Sequence, residues 1–150
     1  MPKASKETTS EHETLEGYEG HFEHFEGGWT VGFETYTQDA DLSPLFKGLP
    51  NDECQCEHMG YVIKGKLAFR SGDTEEVFEG GDAYYVSPGH TPILYAGTQV
   101  VEFQPHREAR PDHGGRDQEH AGSSVRVLLR SSPGARILRA PAPRQSWPPA

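Results

Sequence analysis

Both cysteines of the chain fall within five residues, Cys54-Gln55-Cys56-Glu57-His58. Thiolate and imidazole are soft and borderline donors, suited to Zn²⁺ or Cu(I) rather than to magnesium or manganese. Four such ligands close a tetrahedral site, which is structural or sensory. Three leave a position for an oxygen ligand and permit Lewis-acid chemistry. Along a strand, residues 54, 56 and 58 share one face. At ~3.3 Å per residue, however, the outer two sit ~13 Å apart and reach one ion only if the chain bends between them. Cys56 and His58 need no bend. Two other readings stay open: a pair of small buried residues, or a strained redox disulfide across a very small loop.

The elements around this cluster are β-strands. From Gly17 to Pro105, apolar runs alternate with Gly and Asp turns at the spacing of an all-β sandwich or barrel. YEGHFEHFE (18–26) reads as a weak first strand, WTVGFETYTQ as a second, and DLSPLFKGLPND as an irregular connection. GYVIKG and KLAFR follow, broken at Gly65, and SGDT is a turn. EEVFEGGD, AYYVSPGHTP, PILYAGTQ and VVEFQ complete the set.

Composition narrows the function. With 150 residues the chain holds one domain. Residues 1–104 carry a net charge of −13 and residues 105–150 a net of +4. An acidic body lacks the clustered Lys and Arg that phosphate contacts need, so nucleic acid is not the expected partner. No apolar run approaches the ~20 residues of a membrane span, and MPKASKETTSEHETLE has no secretory h-region. The expected location is the cytoplasm, where thiols stay reduced. Residues 1–16 are polar and without apolar period and read as a disordered arm. Residues 106–150, rich in Arg and Pro, read as a mostly disordered tail.

YVIKGKL, followed 16 residues after Gly65 by GDAYYVSPGH, resembles the paired motifs of the cupins. Gly81, Asp82, Tyr84, Val86, Pro88, Gly89 and His90 match the second motif. The resemblance spans about residues 29–104 and implies a jelly-roll β-barrel over 17–105 with a metal or ligand pocket inside, and a homodimer. The first motif departs from the family pattern of two histidines and a glutamate. Setting Tyr61 on the motif tyrosine puts His58 at the glutamate position, Cys54 at the second histidine and Asp52 at the first. The family's last histidine falls on Pro92, with His90 two residues earlier. Iron or manganese dioxygenase chemistry is therefore not carried over. What the fold implies instead is two thiols and two imidazoles converging on one barrel mouth. Cys56, His58 and His90 form the expected inner set, Cys54 is the fourth ligand and Zn²⁺ the expected ion.

Tyr84 shares parity with His90 and is the expected pocket phenol, with Phe33 and Glu102 as further pocket residues. Glu34 and Glu102 sit mid-strand. Either could face the barrel as a general base with a raised pKa, although a solvated strand face is the simpler reading. His21 and His24 read as edge-strand residues rather than ligands. Three functions fit: a zinc cupin with a small-molecule pocket, a non-enzymatic sensor with a closed Cys/His site, and a metal-free barrel working through Tyr84 and a glutamate.

Overall fold

In the computed structural model, residues 1–105 are described, and the expected tail (106–150) lies outside them. Two antiparallel sheets face each other. The larger runs in the order β1 (Glu11–Leu15), β2 (Tyr18–Phe25), β3 (Trp29–Tyr36), β10 (Thr98–Pro105), β5 (His58–Lys64), β8 (Ala83–Val86). The smaller runs β4 (Ala40–Asp41), β9 (Thr91–Leu94), β6 (Lys66–Ser71), β7 (Thr74–Glu79). The all-β jelly roll expected from the sequence is the architecture found.

Period-two alternation assigns the two faces of each strand. On β2, Tyr18, Gly20 and Phe22 point inward, and on β3, Gly32, Glu34 and Tyr36 do so. Val62 of β5, Tyr84 of β8 and Val100 of β10 complete that wall. Leu67, Phe69 and Leu94 of the opposite sheet pack against it. Phe46, from the short 3-10 turn Ser43–Phe46, closes one side at 1% exposure. Gly60 pairs with Tyr84 across β5 and β8, and the phenol ring lies over it. A Cβ at residue 60 would stand 2.3 Å from the ring's Cζ, so the tyrosine can reach inward only above a glycine.

The arm expected to be disordered (1–16) instead contributes β1, paired with β2 from Glu11↔Phe22 to Leu15↔Tyr18. Hydropathy missed it for a physical reason. β1 buries no side chain fully, and Leu15 is 37% exposed. The strand is held by its backbone ladder and by polar cross-strand pairs. Order therefore begins before residue 17.

Candidate metal centre

The two motifs meet at Cys54. It lies before β5, not within it, in an isolated bridge to His90. Cys54 N–H donates to the His90 carbonyl at 2.7 Å, and Gly89 N–H donates to the Cys54 carbonyl at 2.7 Å. Gly89, at φ 92°, supplies the left-handed turn that delivers His90 to this bridge. The 3-10 turn Pro50–Asp52, with Asn51 and Asp52 both at positive φ, brings the chain in, and a bend at Cys56 separates Cys54 from His58. The bend that the strand arithmetic required is present.

It also changes the inner set. The donor atoms of Cys54, His58 and His90 all lie within 4.8 Å of one another, and all three residues are buried. Cys56, expected inside the set, is half-buried and outside that group, with its side chain hydrogen-bonded to Cys54. The bend breaks the strand period, so Cys54 reaches the inner set and Cys56, preferred because it needed no bend, does not. Asp52 is exposed and accepts from Gly48 N–H at 2.8 Å, away from the cluster.

Each histidine is fixed by its far nitrogen. His58 Nδ1–H donates to Glu102 Oε1 at 2.7 Å, which turns Nε2 toward Cys54 Sγ at 3.4 Å. His90 Nδ1–H donates to the Ser87 carbonyl at 2.7 Å. His90 Nε2 is then a bare acceptor, buried and without a hydrogen-bond partner among the described residues. Its ring is wedged edge-on between His58, at 5.1 Å, and Phe69, at 5.2 Å. An orphaned buried acceptor is costly unless something occupies it. Orientation of a ligand imidazole through its second nitrogen is the arrangement metal-ligating histidines use. A sulfur and two imidazole nitrogens suit zinc in kind.

Electrostatics follow from burial. The hydrogen bond from Cys56, then burial, push the Cys54 thiol well above its usual range, so it is protonated without a cation. Burial lowers the His90 pKa. Burial also opposes charge on His58, but the Glu102 carboxylate outweighs it and the net shift is upward. Burial opposes charge on the partly buried Glu102, yet His58 holds it below the usual range, so it is an ionised acceptor, neither the solvated residue of the simpler reading nor the raised-pKa base of the alternative. The raised carboxyl is Glu34, at about 7, because burial and the Glu102 charge both oppose its ionisation. Glu34 is 5% exposed and accepts from Tyr36 Oη–H at 2.8 Å, which replaces the solvated face expected for it.

Tyr84 Oη–H donates to Glu102 Oε2 at 2.8 Å, so the expected phenol stands one step behind the cluster. Phe33 does not join it, because it occupies the outward parity of β3, opposite to Glu34. A cavity of ≈ 10 Å³, bordered by Cys54, His58, Phe69 and Glu102, remains inside. That is about the room for one water centre, far below the pocket for a small organic molecule that the sequence suggested. Sequence reasoning weighed Glu34 as an inward base but preferred a solvated face, because β3 departs from the usual pattern. Its Phe33 takes the outer parity and Val31, on that same parity, is itself buried, whereas Glu34 points inward. Gly32 was the available signal, since a Cβ there would meet Phe22 at 2.9 Å.

Solved structures share this fold. An RmlC-like cupin from Shewanella frigidimarina superposes with a TM-score of 0.51 at 17% identity, over 70% of this chain and 91% of its own. A protein of unknown function from Rhizobium leguminosarum gives 0.51 at 13% identity, over 72% of this chain and 98% of its own. Neither a family model nor a curated protein sequence matches the chain. The fold is the cupin fold. Among the described residues, no helix is long and apolar enough to cross a membrane.

Proposed function

We propose that the chain is a metal-binding cupin-domain protein in which Cys54, His58 and His90 hold one divalent ion, zinc, with a fourth position open to a small ligand. The observation that carries this reading is the partnerless, buried Nε2 of His90, set among the other two donors. Bound there, zinc would polarise an oxygen of the entering ligand. The chain's own residues supply the rest. Glu102 orients His58, the Ser87 carbonyl orients His90, and Glu34, with a pKa of about 7, can take up or release a proton inside the barrel. A second reading, a closed sensory site, draws on the hydrogen bond between Cys54 and Cys56, which leaves a second thiol beside the triad.

Cobalt(II) substitution separates the two. An open three-ligand site shows thiolate-to-cobalt charge transfer whose ligand-field bands move when azide or cyanide is added. Bands that ignore those anions would end the open-site reading, and an absence of charge transfer would end both.

We further infer a cytoplasmic homodimer. Tyr61, Ile63, Tyr85 and Phe103 expose 48%, 51%, 59% and 39% of their surface on the outer face of β5, β8 and β10, and a second copy would cover them. Light scattering is expected to give twice the mass of one chain, falling to a single chain in Tyr61→Lys/Tyr85→Lys. A monomeric wild-type protein would refute the dimer.

A further inference from the structure

We propose that His12, Glu19 and His21 form a second cation site, outside the barrel, for a borderline transition ion such as Zn²⁺, and that the ion clasps β1 to β2.

The site exists only because β1 is ordered. Register places His12 directly opposite His21 and Thr14 opposite Glu19. Directly opposed residues on an antiparallel ladder share a face. Glu19 and His21 share it by alternation, and it is the outer face, since Tyr18, Gly20 and Phe22 fill the inner one. The two imidazoles stack with centroids 4.2 Å apart and planes at 17°. Glu19 Oε1 lies 2.8 Å from His21 Nε2 and 3.8 Å from His12 Nε2. All three donor atoms fall within 4.8 Å of one another. Two imidazole nitrogens and one carboxylate oxygen suit zinc, copper(II) or nickel, and leave remaining positions to water.

Competing contacts are weak enough to yield. Lys6 Nζ sits 3.4 Å from Glu19 Oε1, on a side chain that is 39% exposed and free to swing to the other oxygen. Thr14 Oγ1, 3.3 Å from His12 Nε2, can rotate away. Because the ligands come from both strands, the ion binds the paired ladder and not the separated strands. By mass action it therefore holds down β1, which among the described residues lies at the sheet edge and pairs with β2 alone.

The test is amide hydrogen exchange on the full-length, chelator-stripped protein, with Zn²⁺ alone as the added probe. At free Zn²⁺ about ten times the dissociation constant, exchange of the β1 amides slows by about tenfold. His12→Ala, a change at an exposed side chain, and Glu19→Gln each abolish that slowing. The proposal is overturned if β1 exchange ignores Zn²⁺, or if the slowing survives in His12→Ala. The readout is local to residues 11–15, so it does not depend on whether the interior triad binds metal.

Discussion

Zinc-loaded protein is expected to melt far above the chelator-stripped form, and Cys54→Ala is expected to remove most of the difference. The three interior donors come from separate stretches: the approach to β5, β5 itself and the loop before β9. They converge only in the folded barrel. An ion that binds the native state alone stabilises it by RT ln(1 + [L]/Kd), about 4 kcal/mol at a thousandfold excess over Kd. For a domain of this size that is an upward shift of roughly 15 °C. Cys54→Ala takes away the sulfur, whereas Cys56→Ala, outside the triad, retains most of the shift. The sign of the pH dependence is also set. Because the Cys54 thiol is pushed up, metal binding must displace its proton, and the zinc-dependent shift shrinks as pH falls. Scanning calorimetry of six samples (wild type and both variants, each stripped and loaded), at two pH values, reads this directly. An undiminished zinc shift in Cys54→Ala would sink the interior site.

Glu34→Gln is expected to stabilise the stripped protein above neutral pH by about 3 kcal/mol and to remove the loss of stability that Glu34 causes as pH rises. Burial, then the charge of Glu102, raise the Glu34 pKa from about 4.5 to about 7, against the opposing hydrogen bond from Tyr36. The folded state thus holds this proton more tightly than the unfolded chain does. Its contribution is complete below about 4.5 and is lost as pH climbs to about 7. Glutamine stays neutral throughout and still offers an oxygen to Tyr36. His58, also raised, contributes with the same sign, but its window opens only above its ordinary value of 6.5. Glu102, lowered, acts below 4.5 and with the opposite sign. Between pH 5 and 6.5 His90, lowered by burial, also contributes, with the opposite sign, so Glu34 is read from the difference between wild type and Glu34→Gln. Denaturant unfolding there is expected to show the stability advantage of Glu34→Gln over wild type growing as pH rises. Parallel profiles would mean that the carboxyl is not protonated inside the barrel.

Several strand boundaries after residue 17 were legible because they are marked locally. Gly65 and Ser71-Gly72-Asp73-Thr74 punctuate the strands at β5–β6 and β6–β7, and the hairpin register Ser71↔Thr74 follows from the second of them. The donors Cys54, His58 and His90 were legible as types, because few residues offer soft lone pairs. The choice between Cys54 and Cys56 was not. It rests on the bend at residue 56 and on two backbone hydrogen bonds to a loop more than 30 residues away. Glu34 was misread because alternation reports two faces without saying which is inside. In a barrel with a polar interior, hydropathy gives the wrong sign.

By itself, the sequence determined an acidic, all-β sandwich or barrel and the kind of donors it carries, since turn residues, strand period and side-chain chemistry are all local properties; the jelly-roll form was implied by the cupin resemblance. Tertiary structure alone decided which thiol joins the imidazoles, that Glu102 ionises while Glu34 resists, and that His12 meets His21 on an edge strand. Those outcomes depend on distances between segments remote in the chain and on the loss of solvent around them, and neither is written in any short stretch of residues.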